Sequence, residues 1–306
     1  MKIALLFILY YYIMEPNQIY KKFEPFSYKS IDDLKKKLNQ LGVKIPISHE
    51  VELLKRNLAF GNFCIPNRLA VQPMEGFDAK EDGSPSKLTY RRYERYANGG
   101  VGLIWFEATS ISEICRSNPH QLMLTEKNLH EFKKLVKSTR KTCNDNLKNL
   151  GFEDKCILII QLNHAGRYSK LDGEKFPIRA FHEKELDKAI QVNQENGMII
   201  SDEELEIIED IWVEKAILAK EAGFDGVDIK ACHGYLIGEL LASRKRESSI
   251  YGGESWEKRA RLLLNIIKKL SKHISKNDDF IITTRLGIYD GIPYPNGFGI
   301  KAEEGQ

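Results

Sequence analysis

Lys230, His233 and Tyr235 fall together in the stretch GVDIKACHGYLIGELL, residues 226–241, where an apolar strand pattern gives way to a helical one. An amine, an imidazole and a phenol on one short turn can converge on a single ligand. Lysine donates hydrogen bonds and carries charge, histidine donates or titrates near neutrality, and tyrosine is a weak acid able to deliver one proton. Two donors beside an acid suit a reaction in which a carbonyl oxygen gains negative charge while a neighbouring carbon takes a proton. The bland alternative is a surface lysine, a capping histidine and a core tyrosine, and the turn alone does not choose between them.

Other polar groups gather at comparable points. QPMEG (72–76) follows a strand pattern and brings Pro73, Met74 and Glu75 to its end. Proline cannot donate to a ladder, so the amides after it are free to point elsewhere. IIQLNHAGRYSK (159–170) ends an apolar run with Gln161, Asn163, His164 and Arg167, a cluster expected to be satisfied by a ligand rather than only by itself. FIITTRLGIYDG (280–291) sets Arg285 in an otherwise apolar or hydroxylic strand. A buried arginine is costly unless an anion or strong acceptors pair with it. The basic stretch SRKRESSIYGGESWEKRARLLL (243–264) reads as solvated surface.

The elements that must position these residues alternate. Strand patterns lie at 68–73, 102–107, 156–161, 225–229 and 280–286, with helical patterns at Ser86–Ala97, Asn128–Arg140, Glu203–Ala222 and Trp256–His273 and a short helix at 31–41. Leu129, Phe132, Leu135 and Val136 form one buried stripe, and Leu205, Ile208, Ile211, Trp212 and Ala216 another. Ser201 with Glu204 gives a capping box. Short, wholly apolar strands alternating with helices predict a parallel sheet covered by helices. No GxGxxG follows a strand, which argues against a dinucleotide-binding open sheet. The polar residues instead sit at strand C-terminal ends, the rim on which (β/α)8 barrels build their sites. The expected fold is therefore an α/β barrel of the TIM type, with only about the first five strands in this chain.

At 306 residues, 42% apolar and 29% charged, the chain has the composition of a globular protein. A net charge of +3 is too small to indicate nucleic acid or an anionic membrane as partner. The cysteines (Cys64, Cys115, Cys143, Cys156, Cys232) show no CxxC spacing, which points to a reducing, cytoplasmic setting and no metal site. Residues 1–13 carry an apolar run too short to span a bilayer as a helix. It is read as a signal-like segment or a mis-start, and the cysteine pattern and lack of a cleavage site favour a start at Met14. Residues 14–56 are expected to be an N-terminal extension, and 57–306 the barrel domain, incomplete at its C-terminal end.

Taken in order, PNRLAVQPMEG, ANGGVGLIWFEAT, IIQLNHAGR, AGFDGVDIKACHGYLIGELL and YGGESWEKRARLLL resemble the old yellow enzyme family of NADH:flavin oxidoreductases. The resemblance implies non-covalent FMN at the barrel rim and NAD(P)H as hydride source. It implies that Pro73, Met74 and Glu75 lie beside the flavin ring and that Ala108 lines it. Gln161 would bond its pyrimidine edge, and Arg285 would sit where the reduced ring is anionic. Lys230 and His233 match the family's paired donors to an acceptor oxygen, and Tyr235 matches its proton donor. The implied reaction passes hydride to an α,β-unsaturated carbonyl or carboxylate, with a homo-oligomer compatible with it. Three departures stand out: Lys230 replaces a histidine, which favours an anionic acceptor; Glu75 replaces threonine or cysteine; and the last three strands of the family's barrel are expected to be missing from this chain. Two other readings remain open. One is a truncated, non-catalytic barrel fragment or interaction module with weak or no flavin binding. The other is a barrel hydrolase using His164, Glu107 and His233.

Overall fold

The computed structural model describes residues 25–274 and 279–300. The apolar stretch at 1–13 and the chain after Ile300 lie outside the described residues. Residues 25–51 form a unit by themselves. It holds the expected short helix, Ile31–Gln40, capped by Ser30, whose hydroxyl accepts from the Asp33 amide at 3.1 Å. The second unit begins at Glu52, somewhat before the expected boundary at 56/57. The helical turn Glu52–Lys55 is tied into it by backbone, the Arg68 amide donating to the Leu54 carbonyl at 2.9 Å.

The second unit is built on five parallel strands: β1 (Ala70–Val71), β2 (Leu103–Ser110), β3 (Ile157–Asn163), β4 (Gly226–Ala231) and β5 (Ile281–Leu286). Between them run helices α1 (Lys87–Asn98), α2 (Leu129–Asn149), α3 (Asp202–Ala222), α4 (Leu236–Ala242) and α5 (Arg261–His273). The strands lie side by side in chain order. Right-handed crossovers that always step in one direction put every helix on the same face. That singly wound order is barrel-like, whereas an open doubly wound sheet reverses direction part-way.

The two faces have different chemistry. Ile104, Phe106, Leu158, Ile160, Leu162, Val227 and Ile229 join one large core with the helix stripes. The alternate residues Leu103, Ile157, Ile159 and Ile281 form a separate cluster on the inner face, with Trp105, Phe63 and Ile65 against it. Phe63 and Ile65 come from a short antiparallel hairpin, Leu58–Phe60 with Phe63–Ile65, which covers the N-terminal end of that face.

Several boundaries move for physical reasons. β1 keeps only Ala70–Val71 of the expected 68–73, since Pro73 removes a ladder donor. α2 runs nine residues past Arg140 because Cys143 and Leu147 continue its buried stripe through weak helix formers. The helix expected over 256–273 is interrupted at Ala260. The α3 capping box forms as read: the Glu204 amide donates to Ser201 Oγ at 3.1 Å, and the Ser201 amide to Glu204 Oε2 at 2.7 Å. Cys156 and Cys232 are core fillers, as expected. The basic stretch at 243–264 is not simply solvated surface. Arg259 is buried and donates to the carbonyls of Leu241, Gly253 and Glu254, and Arg246 ties the Ala180 carbonyl to Asp202.

Candidate active site

The inner face changes character along the strands. Near the strand N-termini it is Leu103, Trp105, Ile157, Ile159 and Ile281. Toward the C-terminal ends, strand alternation brings Gln161, Asp228, Lys230 and Arg285 onto the same face, with Asp228 across from Gln161 and Lys230 across from Arg285. An apolar floor thus carries a polar rim.

Gln161 is fully buried and donates its amide N–H to Asp228 Oδ2 at 2.6 Å. Asn163 Oδ1 accepts from Gln121 Nε2 at 2.9 Å, and the same Gln121 nitrogen donates to the Ala108 carbonyl at 2.9 Å. Three buried atoms here have no partner among the described residues: Gln161 Oε1, Asn163 Nδ2 and Asp228 Oδ1. Burial raises the Asp228 carboxyl pKa, against the pull of the Gln161 hydrogen bond and the Arg285 charge. The Arg285 guanidinium makes no hydrogen bond or ion pair among the described residues. It is half-buried on a strand at the sheet edge rather than fully enclosed, which corrects the expectation of a buried arginine.

The Pro73–Met74–Glu75 loop reaches the same rim. Its anchor is Glu107, whose Oε2 accepts from the Gly76 amide at 2.8 Å. Arg92 of α1 holds the other Glu107 oxygen at 2.5 Å and also grips Asp78. Glu107 turns this way because β2 is bulged: Glu107 and Ala108 together stand opposite Gln161, where a regular ladder has one residue. Pro73 and Ala108 are buried, and the Met74 side chain is exposed.

Glu75 meets the turn that carries Lys230 and Tyr235. Tyr235 donates its hydroxyl to Glu75 Oε1 at 3.2 Å, Ser117 donates to Glu75 Oε2 at 2.7 Å, and Lys230 Nζ lies 3.6 Å from Glu75 Oε1. The ammonium also sits 3.7 Å from the centroid of the Tyr235 ring, within cation–π reach. Burial raises the Tyr235 pKa, and Glu75 adds to the rise. Burial lowers the Lys230 pKa, with Glu75 opposing. His233 is exposed and takes a left-handed backbone, φ 62°, followed by Gly234 at 65°. Its pKa is lowered by partial burial and by the charges of Lys230 and Arg285. The structure thus packs Lys230 and Tyr235 together, while His233 stands toward solvent.

The remaining sequence candidates serve the scaffold. His164 is buried, accepts the Gly166 amide on Nδ1 at 3.0 Å and has its pKa pushed down to about 3 by desolvation. Arg167 is enclosed by Asp187 and Glu239, and Arg179 shares the same Asp187 oxygen, Oδ1, with it. The polar cluster at 159–170 is therefore mostly an internal network, with Gln161 Oε1, Asn163 Nδ2 and Ser169 Oγ left without a partner among the described residues. His164 and Glu107 are each engaged in structural bonds, which removes the hydrolase set. Sequence reading missed Gln121, Ser117 and Asp228. An acid inside the apolar run GVDI was a usable signal for Asp228, whereas Gln121 and Ser117 lie in loops without periodicity.

The profile of the NADH:flavin oxidoreductase / NADH oxidase family matches residues 56–298. The chain belongs to this family. It is 32% identical over 213 residues to an NADPH dehydrogenase of Listeria monocytogenes, covering 68% of this chain and 56% of that protein. It is 31% identical over 228 residues to an NADH oxidase of Thermoanaerobacter brockii, covering 74% of this chain and 32% of that protein. The chain thus spans about half the length, or less, of these curated relatives. Among solved structures, morphinone reductase in complex with tetrahydroNAD matches with a TM-score of 0.63 at 24% identity, covering 82% of this chain and 67% of that one. Old yellow enzyme from Pichia sp. AKU4542 matches with a TM-score of 0.63 at 23% identity, covering 78% of this chain and 61% of that one. These likenesses give the α/β barrel fold, and the family is one that works with FMN and NAD(P)H. Among the described residues, no helix is long and apolar enough to cross a membrane.

Proposed function

We propose that the chain is an FMN-dependent oxidoreductase that passes hydride from NAD(P)H to an α,β-unsaturated acceptor at this rim. The observation that carries the reading is a set of buried atoms at the strand ends without partners among the described residues: Gln161 Oε1, Asn163 Nδ2 and Asp228 Oδ1. Buried polar atoms are rarely left unpaired. The pyrimidine edge of a flavin carries both an N–H donor and carbonyl acceptors, so it answers this mixed set. The residues present therefore fit the group.

When bound, FMN supplies the hydride relay between nicotinamide and acceptor. Gln161 and Asn163 would hold its pyrimidine edge, and the Arg285 guanidinium, with no hydrogen bond or ion pair among the described residues, would offset negative charge there. Pro73, Met74, Glu75 and Ala108 would border the ring. Lys230 and His233 donate to the acceptor's oxygen. Tyr235, kept protonated by burial and by Glu75, gives its hydroxyl proton to the α-carbon.

The test is direct. Purified protein, titrated with FMN under anaerobic conditions, should bind one flavin per chain, turn yellow, bleach with NADH or NADPH and regain colour with an unsaturated acceptor. A colourless protein that leaves FMN fluorescence unquenched would overturn the reading in favour of a non-catalytic barrel fragment.

A further inference from the structure

Glu75 Oε1 is shared. It receives the Tyr235 hydroxyl at 3.2 Å and faces the Lys230 ammonium at 3.6 Å, while Ser117 occupies Oε2 at 2.7 Å. The Lys230 and Glu75 side chains are 6% and 11% exposed, so water screens the pair poorly. An ammonium standing alone here would attract an anionic acceptor. One already facing a carboxylate presents no net charge, yet it keeps N–H donors for an acceptor oxygen. A second carboxylate brought to this place would meet Glu75 as a like charge, a repulsion that discriminates against it.

We propose that Glu75 is a positioning residue that binds Lys230 and Tyr235 into one neutral unit, and that this unit selects acceptors with an uncharged activating carbonyl over free carboxylates. Enones, enoate esters and enamides are the class that fits. The acceptor half of this inference rests on the proposed function. The geometry reverses what Lys230 alone suggests, because the sequence shows the cation without its partner.

Glu75→Gln keeps the shape and removes the charge. On FMN-loaded protein, calorimetry with benzamide and benzoate compares a neutral and an anionic ligand of one outline without turnover. The native chain should prefer benzamide. In Glu75→Gln the preference should move toward benzoate by about tenfold, and Glu75→Gln/Lys230→Met should lose that gain. A benzoate-to-benzamide ratio unchanged within about twofold in Glu75→Gln would overturn the selection. A second measurement needs no flavin: NMR of ring-labelled tyrosine follows the Tyr235 hydroxyl as pH rises. It should begin to ionise at lower pH in Glu75→Gln than in the native chain. Titrations that coincide in the two proteins would dismantle the unit. If no flavin binds, the proposed function fails, while the Tyr235 titration still decides the role of Glu75.

Discussion

In the proposed reaction the acceptor chemistry turns on Tyr235, and its surroundings explain why it holds a proton. Its hydroxyl points at a carboxylate and its ring lies against an ammonium. Replacing it with phenylalanine removes the hydroxyl and leaves Lys230 and Glu75 paired. Tyr235→Phe should slow acceptor-dependent reoxidation by about 10²–10⁴-fold, with nicotinamide-dependent reduction and FMN affinity unchanged, as stopped-flow spectroscopy would show. Equal loss in both half-reactions would assign Tyr235 to flavin binding instead. The residue types at this turn were legible in the sequence, although the turn alone left a bland structural reading equally open. Their partner was not legible as such. Glu75 lies 160 residues away from Tyr235 along the chain, and only the folded rim shows that two unusual residues neutralise each other.

The elements themselves followed from periodicity. The five parallel strands and the long helices over their outer face were anticipated, because apolar runs and striped helices leave plain marks, whereas the Leu58–Phe60 and Phe63–Ile65 hairpin under the inner face was not. What escaped was how the loops brace one another. Gly166 is an example: it has φ 61°, and a Cβ there would come within 2.6 Å of the Leu236 amide nitrogen, at the first residue of α4. The Leu236 amide itself donates to the His164 carbonyl at 3.2 Å. The loop after β3 and the start of α4 therefore share one tight contact, next to Tyr235. Gly166→Ala should cost about 1–3 kcal/mol of stability, read by urea unfolding. It should also weaken Tyr235-dependent turnover more than flavin binding. A variant as stable as the native chain would show that the two loops can separate freely. The same bracing explains the basic stretch. Its arginines pair with backbone carbonyls that no charge-pattern rule anticipates, since such partners leave no trace in side-chain composition.

Across the whole molecule, the strand order made the fold recognisable once the polar residues were placed at strand ends, and the inner face divides into apolar floor and polar rim. That enclosure also sets how the protein responds to acid. His164 is buried and neutral, with its pKa pushed down to about 3. An unfolded chain binds this proton near the ordinary histidine pKa, about 6.5. Above that range neither state is protonated and His164 adds no pH dependence. As pH falls from about 6.5 toward 3, only the unfolded state gains the proton, and stability declines by up to about 1.4 kcal/mol per pH unit. His164→Asn keeps an acceptor for the Gly166 amide and removes the titration. Its urea midpoint should fall less steeply than the native one between those pH values. Parallel curves would place the acid sensitivity elsewhere.

The irregularity in β2 carries a consequence of its own. Phe106 pairs with Ile160 and Thr109 with Leu162, so one peptide on β2 is surplus to the count on β3. Excising Ala108 would let the ladder run evenly, with Thr109 and Ser110 still opposite their present neighbours. Parity would then swing Glu107 off Arg92 and the Gly76 amide and bring it in beside Gln161. The 73–76 segment would lose its tether, and a carboxylate would stand where the proposed function puts the flavin ring. A single spare backbone unit thus separates the proposed flavin seat from one that thrusts a carboxylate into it.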